Sequence, residues 1–521
     1  MVRMGPYQIL LDCGIPDLSP LLETSNQAQL LAVADFVFCT HAHTDHAVGL
    51  LALHQAFPQL PIYASEVTAQ LLAVNWPELP RQDIPQFCQP LGWQSEIQLQ
   101  KGLSATLFPA GHLPGAAVVL LKYQAPERTY KVLYTGDFFL SNSRLVEGLP
   151  LGELRNLKPD VLILEGSYGT ARYPHRRQLE NQLAERVEQA LTSGYSIIFP
   201  TPPLGLGQEL LMLLRSHHYF TGREIDIWVD YQVAQGCDIY LELLHYFPAS
   251  VQNFAQHQPL FWDERIRPRV RRITSEQTPM LSESPCIVIA ERQTSWLQYV
   301  ENSSQPWALF WPEKPGMVLD ISSEVESLFA QVETYFLSEH SDGAGVTQLI
   351  HNVRPQHIIF VHGSPLYLAD LTNLDELRNR YKLHYPSAGI LVELPVGETF
   401  IQPALQENQY QAEVTELATE INISISQSIT NDPRWPNFAD TGLVEVRWQG
   451  EELVLRGISQ RELLNQGNEP TFPNSLECCG NCLYYRGQRC LNSSSAFFNF
   501  KVTPDGYCPV FAPSQALEGR D

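Results

Sequence analysis

The 521-residue chain is 44 % hydrophobic and 17 % charged, and this composition excludes a disordered protein. A chain of this length buries at least one large core and is expected to form two or three domains. No uncharged apolar run reaches the roughly 18 residues that a membrane span requires, and the N-terminus lacks a charged segment followed by an apolar signal core. These features predict a cytoplasmic protein with no membrane association.

The formal net charge of -23 opposes long-range attraction to nucleic acid, because affinity for a polyanion comes mainly from Lys and Arg. A nucleic-acid role therefore requires a local basic groove. The candidate is the segment RIRPRVRR, which contains Arg265, Arg267, Arg269, Arg271 and Arg272. The alternative for such a run is an ordinary solvated face.

The first part of the chain alternates short apolar runs with amphipathic helical stretches. The runs end at polar or glycine-rich corners, which is typical of strands that deliver functional groups into loops. In chain order they are YQILLDCG, DFVFCTHAH, PIYAS, ATLFPAGH, KVLYTGD and DVLILEGSYG. Helical stretches such as LLALHQAF and VTAQLLAV lie between them, and the pattern predicts an α/β sandwich in which helices cover sheets.

A change of pattern at Arg176 predicts a second α/β unit over residues 176–320. It begins with the long helical stretch RRQLENQLAERVEQALTSG and continues with strands such as YSIIFPTPP and REIDIWVD. Residues 321–405 again place His and Asp after strands, in VETYFLSEHSDG and HIIFVHGS. We therefore expect this segment to return to the domain that residues 1–175 begin.

The remaining residues are expected to form two further segments. Residues 406–470 are predicted to be a linker with a hairpin at LVEVRWQGEELVLRGI, which has Gly450 near its turn. Residues 471–521 contain a cluster of cysteines and are predicted to form a small metal-binding module.

The run His41-Ala42-His43-Thr44-Asp45-His46 follows the apolar segment DFVFCT. A strand that ends in a tight loop can direct several imidazoles at one place. Neutral imidazoles suit zinc, and carboxylates balance the charge of two neighbouring cations. Three His and one Asp within so short a run have few structural explanations, so the run predicts a metal centre.

His-x-His-x-Asp-His after a strand resembles the signature of the metallo-β-lactamase superfamily. The rest of that pattern follows in order, with Asp12 in LLDCG, His112 in PAGHLPG and Asp137 in YTGDF. The resemblance implies an αββα sandwich with two Zn²⁺ or Mn²⁺ ions. It implies further that His41, His43 and His112 hold one ion, that Asp45 and His46 help to hold the second, that Asp137 bridges both, and that Asp12 orients a ligand.

The best candidate for the last ligand is His362 in FVHGS, with a domain's length of chain between it and Asp137. This layout is similar to the β-CASP branch of the superfamily, whose members act on nucleic acids and carry an inserted α/β cap domain. Glu165 in LEGSYG and His340 in SEHSD resemble two further motifs of that branch. The resemblance implies that Asp45, His340 and Glu165 are catalytic, with His340 protonating the leaving oxygen while Glu165 keeps it charged. The alternative is that His340 only packs at a helix start.

Three places depart from the β-CASP pattern. Leu206, in PTPPLGL, replaces an Arg; the run Glu291-Arg292-Gln293-Thr294 replaces a Thr-Ser-Gly-Met type of loop; and Glu339 stands where a small residue is usual. These changes predict an altered substrate groove around an intact metal centre. Few residues precede LLDCG, where the family tends to have another strand, and the sequence does not decide between this start and an upstream one.

The tail reads C-x2-C-x7-C-x17-C, with Cys479, Cys482, Cys490 and Cys508. A small tail cannot bury enough apolar surface to fold alone, and a tetrahedral metal is the usual remedy. Zinc is the first candidate, and an iron-sulfur cluster is the second because Pro509 follows Cys508. Free thiols are the remaining alternative, and the spacing does not decide whether Cys478 replaces Cys479.

The leading hypothesis is a zinc-dependent phosphodiesterase, a metal-dependent hydrolase that cleaves single-stranded RNA by a two-metal mechanism. One rival is an enzyme of the same fold with another substrate. The other is a metal-bearing scaffold that has lost catalysis and docks partners through its tail. A homodimer is compatible with all three.

Overall fold

The computed structural model describes most of the first 396 residues and short parts of the rest. The described residues are 1–24, 33–155, 157–274, 285–292, 297–301, 305–313, 321, 326–394, 396, 413–417, 420–424, 444–449, 452–457, 479, 482–486, 489–492, 495 and 512. Contacts between residues divide the chain into two units, Met1–Leu405 and Gln406–Asp521.

Two stacked sheets form the sandwich of the larger unit. The five-stranded sheet consists, in spatial order, of β1 (Val2–Met4), β2 (Tyr7–Leu11), β3 (Phe36–Phe38), β4 (Ile62–Ser65) and β5 (Cys88–Leu91). The seven-stranded sheet consists of β18 (Lys382–His384), β17 (His357–Val361), β10 (Val161–Glu165), β9 (Thr129–Tyr134), β8 (Ala117–Gln124), β7 (Leu103–Pro109) and β6 (Ile97–Gln100). Strands β2 to β5 are parallel, and so are β9, β10, β17 and β18.

The alternation of side chains along these strands explains why the sheets stack. On β7, Leu103, Ala105 and Leu107 pack with Phe36 and Phe38 of β3 in one buried cluster. The opposite face of the same strand contributes to a second cluster beneath the helices. Both faces of this strand are buried, so it is covered on both sides, and this arrangement produces the sandwich. The predicted αββα fold class is confirmed.

Helices cover the sheets and connect them. Their bounds are α1 Ser19–Thr24, α2 Thr44–Ala47, α3 Leu50–Ala56, α4 Glu66–Leu71, α5 Leu151–Leu154, α6 Arg176–Thr192, α7 Leu206–Ser216, α8 Tyr231–Glu242, α9 Ala249–His257, α10 Leu297–Glu301, α11 Gly343–Val353, α12 Pro365–Thr372 and α13 Asp375–Arg378. In the part of the chain that the structure describes, no helix is both long and apolar enough to cross a membrane.

A third sheet, entirely parallel, lies between β10 and β17 in the sequence. It has the order β13 (Arg269–Arg272), β12 (Asp226–Val229), β14 (Ile287–Glu291), β11 (Ser196–Thr201), β15 (Trp307–Pro312) and β16 (Gln331–Tyr335). Ile197 and Phe199 of β11 pack into the helical cluster, whereas Ile198 faces a separate cluster with Trp228 and Trp307. We call this sheet and its helices the cap. The predicted domain boundaries at residues 175, 320 and 405 stay predictions.

The chain returns from the cap to the seven-stranded sheet through the loop that follows β16. Helix α11 then leads into β17, which pairs with β10 in parallel, with Glu165 opposite Val361. The ends of these two strands therefore bring Glu165 close to His362, although the whole cap separates them in the sequence.

The arginines of RIRPRVRR are ion-paired. Arg269 on the edge strand β13 lies opposite Asp226 of β12, and Nε of Arg269 is 2.5 Å from an oxygen of Asp226. The other pairs are Arg265 with Asp263, Arg267 with Glu224, Arg271 with Asp226 and Glu264, and Arg272 with Asp238. Local acids neutralise the run, which favours the solvated-face alternative over a basic groove.

The smaller unit contains three two-stranded sheets in its described residues. They pair β19 (Glu413–Leu417) with β20 (Glu420–Ser424), β21 (Val444–Gln449) with β22 (Glu452–Gly457), and β23 (Tyr485–Arg486) with β24 (Arg489–Cys490). The second pair confirms the predicted hairpin, while Gly450 itself lies outside the described residues.

Candidate metal centre

The predicted histidines and aspartates lie in loops at the C-terminal ends of neighbouring strands. His41 and His43 follow β3, and Asp45 and His46 lie on the short helix α2. The three buried residues of β3 anchor the loop in the core, and Ala42 and Ala47 pack beneath it. His41 and His46 are almost completely buried. The polar side chains of this run therefore point to one edge of the sandwich.

One group of side chains consists of His41, His43, His112 and Asp137, whose potential ligand atoms all lie within 4.8 Å of one another. Nδ1 of His43 is 3.2 Å from Nε2 of His41 and 3.0 Å from Nε2 of His112. Oδ2 of Asp137 is 3.6 Å from the first imidazole and 3.8 Å from the third. Three imidazoles and a carboxylate aimed at one point can hold a zinc ion.

Two glycines allow the strands to approach closely enough for this geometry. Gly136, just before Asp137, has a φ of +53°, and a Cβ there would lie 2.6 Å from the side chain of Thr40. Gly205 in the cap has a φ of +87°, and its Cβ would lie 3.4 Å from Nε2 of His43. A side chain at either position would strain the backbone and displace the residues that shape the site.

A second group consists of Asp45, His46 and His362, whose potential ligand atoms also lie within 4.8 Å of one another. Nε2 of His362 is 3.3 Å from Oδ2 of Asp45, and Nε2 of His46 is 3.3 Å from Oδ2 of Asp137. Oδ1 of Asp137 is 3.5 Å from the ring of His362. Asp137 thus lies between the two groups and contacts both of them.

Asp12 lies beneath the second group and contacts it from the core side. Its carboxylate accepts hydrogen bonds from the backbone and hydroxyl of Thr40 and from the hydroxyl of Tyr134, at 2.6, 2.9 and 2.7 Å. It also lies 2.8 Å from Nδ1 of His46. A carboxylate on Nδ1 directs the other nitrogen of the ring, Nε2, toward Asp137.

A third group joins Glu165 and His340 to Asp137. Nδ1 of His340 is 2.8 Å from Oε2 of Glu165, and the other oxygen of Glu165 accepts the backbone N–H of Phe138 at 2.6 Å. Glu165 is buried, so its carboxylate is fixed. Burial disfavours the charged imidazole, but Glu165 and Asp137 outweigh it and raise the pKa of His340 to about 9.

The imidazoles of the first group are held in the neutral form. Burial, followed by neighbouring histidines, lowers the pKa of His41 and of His112 well below the usual value, and burial also lowers the pKa of His43. Neutral imidazole is the form that binds a metal ion. The electrostatics of the first group therefore suit metal binding without a prior deprotonation.

Two buried polar atoms of the His and Asp groups lack hydrogen-bond partners, and this bears on whether the groups fit metal ions. Nε2 of His46 and Oδ1 of Asp137 are buried and have no hydrogen-bond partner. Buried polar atoms are nearly always satisfied, so unsatisfied acceptors that face a shared space indicate a cation between them. The residues present therefore fit two divalent ions.

The first group is covered at two of the places where the sequence departs from the β-CASP pattern, namely PTPPLGL in the cap and Glu339 in the loop after β16. Nε2 of His43 is 3.4 Å from the carbonyl oxygen of Leu204, and Nδ1 of His112 is 2.8 Å from the carbonyl oxygen of Glu339. Leu206 is buried at the start of α7. Residues 293 and 294, in the run that begins at Glu291, lie outside the described residues.

Ser167 is a site residue that sequence reasoning missed. Its hydroxyl is 2.5 Å from Oε2 of Glu165 and 2.9 Å from Nδ1 of His362. It connects the Glu165–His340 pair to the second group. Its only signal in the sequence is its position two residues after Glu165, which indicates nothing about His362.

The tail cysteines are only partly described. Cys479 and Cys490 are buried, Cys482 is half-buried, and the backbone N–H of Cys482 donates to the carbonyl of Cys479 at 3.0 Å. The sulfur atoms of these three cysteines do not all lie within 4.8 Å of one another, in contrast to the His and Asp groups. Cys478 and Cys508 lie outside the described residues, so the tail metal stays a prediction.

Two family models match the chain. One is described as the Beta-lactamase superfamily domain and matches residues 7–192. The other is described as the Zn-dependent metallo-hydrolase RNA specificity domain and matches residues 328–384. The first match contains the strands that carry Asp12 to Glu165, and the second contains His340 and His362.

Curated proteins that are similar to the chain include the following three. An uncharacterized protein from Synechocystis sp. is 47 % identical over 98 % of this chain and 93 % of its own length. A probable RNase from Methanocaldococcus jannaschii is 28 % identical over 43 % of this chain and 56 % of its own length. An RNase J-like protein from the same organism is 25 % identical over 54 % and 65 %, respectively. The matched part of each archaeal protein is less than two thirds of its length.

Proposed function

Because this chain belongs to the β-CASP branch of the metallo-β-lactamase superfamily, a family of metal-dependent hydrolases, we propose that it hydrolyses single-stranded RNA at a two-metal centre. The names of the two archaeal relatives, an RNase and an RNase J-like protein, support RNA as the substrate class. The observation that carries the proposal is the position of Asp137, whose carboxylate contacts both groups of histidines.

The proposal assigns the ligands by group. His41, His43 and His112 would hold one ion, Asp45, His46 and His362 would hold the other, and Asp137 would contribute to both sites. Two Zn²⁺ ions, or two Mn²⁺ ions, would supply an activated water and stabilise negative charge on the phosphate oxygens. Asp12 keeps Nε2 of His46 directed at this space through its bond to Nδ1.

His340 is proposed as the proton donor. Nδ1 of His340 is engaged by Glu165 at 2.8 Å, so Nε2 is the nitrogen that remains to protonate the leaving oxygen. The proton moves from Nε2 to that oxygen as the phosphorus–oxygen bond breaks, and Glu165 stabilises the imidazolium beforehand. Partial burial of His340 limits exchange of this proton with bulk water.

The test is cleavage of labelled single-stranded RNA by purified protein with zinc or manganese. The Asp45→Asn variant is the control, since it removes a ligand charge without changing side-chain volume. We expect cleavage by the wild type and its loss in the variant. Absence of cleavage by the metal-loaded wild type, with turnover of another phosphodiester, would favour a different substrate. Absence of all turnover would favour the scaffold.

The smaller unit is proposed to hold one further Zn²⁺, or an iron-sulfur cluster, through Cys479, Cys482, Cys490 and Cys508. Support comes from the spacing and from the backbone bond between Cys482 and Cys479, which forms the tight turn that two cysteines of one site require. A cytoplasmic location and a homodimer stay predictions.

A further inference from the structure

A row of exposed cations lies at the edge of the seven-stranded sheet that is opposite the metal centre. The metal-directed residues follow the C-terminal ends of β9, β10 and β17, whereas Lys158 and Arg354 precede the N-terminal ends of β10 and β17. Lys382 is the first residue of β18, and all three residues are exposed. The neighbouring parallel strands β10, β17 and β18 therefore each begin beside a cation.

Backbone hydrogen bonds bring these residues into one row. The N–H of Lys158 donates to Val353 at 3.0 Å, next to Arg354, and the N–H of Lys382 donates to Gln356 at 3.2 Å. Since neighbouring strands are about 4.8 Å apart, the cations follow one another at short intervals along the edge.

Two more cations extend the row. Nζ of Lys131 lies 3.2 Å from the carbonyl oxygen of Leu157, and Nε of Arg155 lies 3.2 Å from Oδ1 of Asn352. We call Lys131, Arg155, Lys158, Arg354 and Lys382 the basic edge.

The basic edge differs from the other arginine-rich surface in its lack of acidic partners. Within the described residues, none of its five cations forms an ion pair with a carboxylate. Asp160 lies beside them, but it is paired with Arg128. By contrast, every arginine of RIRPRVRR is paired with Asp or Glu. Five cations without an ion-pair partner among the described residues thus lie together at the basic edge, although the net charge of the chain is -23.

We propose that the basic edge is a docking surface for the backbone of an RNA strand whose scissile bond lies at the metal centre. This inference rests on the proposed function. A row of cations without ion-pair partners suits binding of a polyanion such as RNA, because each phosphate that the cations neutralise releases counterions. An acidic protein surface is the alternative that the experiment below excludes.

The position of the basic edge predicts a dependence on RNA length. Strands β10 and β17 have five residues each, so the row lies about 16 Å from the catalytic loops. An RNA of about 5 nucleotides, with a stacked length of about 17 Å, cannot follow the protein surface between the two sites and occupy both. A strand of about 30 nucleotides can. Only the longer RNA should therefore respond to changes at the basic edge.

The test measures RNA binding by the full chain in the Asp45→Asn background, where the RNA is not cut. Arg155→Glu/Lys382→Glu removes two cations from the row at ordinary backbone positions, and Lys158→Glu/Arg354→Glu is the second variant. Arg3→Glu/Lys101→Glu is the matched control, since both of its residues are exposed and lie outside the row. All three doubles change the net charge equally.

We expect each basic-edge variant to bind the longer RNA at least about tenfold more weakly, with a salt dependence reduced by about 0.7 per lost phosphate contact. The control should bind as the parent does, and cleavage of the short RNA in the wild-type background should be unchanged. Equal losses in the control, or unchanged binding in both variants, would overturn the docking surface. If the parent binds the longer RNA through this edge but the wild type never cuts RNA, the proposed function fails, and the basic edge is an RNA-binding surface that does not serve cleavage.

Discussion

The hydroxyl of Ser167 lies 2.9 Å from Nδ1 of His362 and 2.5 Å from Oε2 of Glu165. If the hydroxyl hydrogen goes to the carboxylate, the oxygen accepts Nδ1–H of His362, which leaves Nε2 of that ring free for a metal beside Asp45. One buried carboxylate then orients His340 directly and His362 through Ser167.

Ser167→Ala should therefore weaken the second metal site selectively. A lost outer hydrogen bond to a metal-binding histidine costs about 10- to 100-fold in metal affinity. The measurement is a metal titration against a chelator, in which the first metal should bind as in the wild type. Ser167→Thr keeps the hydroxyl and should restore binding. Equal affinities for alanine and serine at this position would contradict the role.

Replacement of His340 tests proton donation separately from metal binding. His340→Ala should slow RNA cleavage by about two to four orders of magnitude, because the leaving oxygen loses its proton donor. Metal content should not change, since Nδ1 of His340 is bonded to Glu165. His351→Ala, a partly buried histidine bonded to Tyr381, is the control. If His340→Ala cleaves RNA at the wild-type rate, His340 is not the proton donor and only packs at the start of a helix.

Glu165→Gln tests the electrostatic part of the same pair. Burial alone would lower the pKa of His340, and Glu165 is the largest of the carboxylate effects that raise it to about 9. Without that charge the pKa falls. Because the donor acts only when protonated, below its pKa, the alkaline loss of kcat should move to lower pH. A pH–rate profile measures this shift, with the exposed Glu147→Gln as control. If the wild type and Glu165→Gln lose kcat over the same alkaline pH range, the role of Glu165 in raising the pKa of His340 is contradicted.

The tail metal is predicted to be structural. Four cysteines close a tetrahedral shell and leave no position for water or substrate. Cys482→Ser should therefore release the tail metal and unfold the tail, while the larger unit, which has its own core, remains folded. Cleavage of a short RNA measures the outcome and should persist. Loss of that cleavage with the main metals still bound would show that the tail takes part in the active site.

The sequence was sufficient to predict an α/β sandwich and a metal centre at the run His41 to His46, because closely spaced ligands after an apolar strand have few other uses. The family resemblance alone supplied the remaining site residues, which are His112, Asp137, His340 and His362. Periodicity alone cannot show that β17 pairs with β10 across the inserted cap. Ser167 was missed for the same reason, since its partner is defined by strand register.

The basic surfaces also could not be predicted from the sequence, because strand pairing decides which charged residues lie together. RIRPRVRR was the strongest basic signal in the sequence, yet strand pairing places Arg269 opposite Asp226 and neutralises the run. The cations of the basic edge are scattered through the sequence. Only the parallel order of β10, β17 and β18 brings Lys158, Arg354 and Lys382 together.

The most direct test of the two-metal centre is the metal content of the full-length Cys482→Ser protein. Because we predict that this variant lacks the tail metal, elemental analysis should report the main centre without truncation of the chain. We predict close to two metals per chain under metal-replete conditions, and a clear decrease in Cys482→Ser/Asp137→Asn, which removes the shared ligand. A value of about one or below in Cys482→Ser itself would contradict a centre in which Asp137 joins two metals.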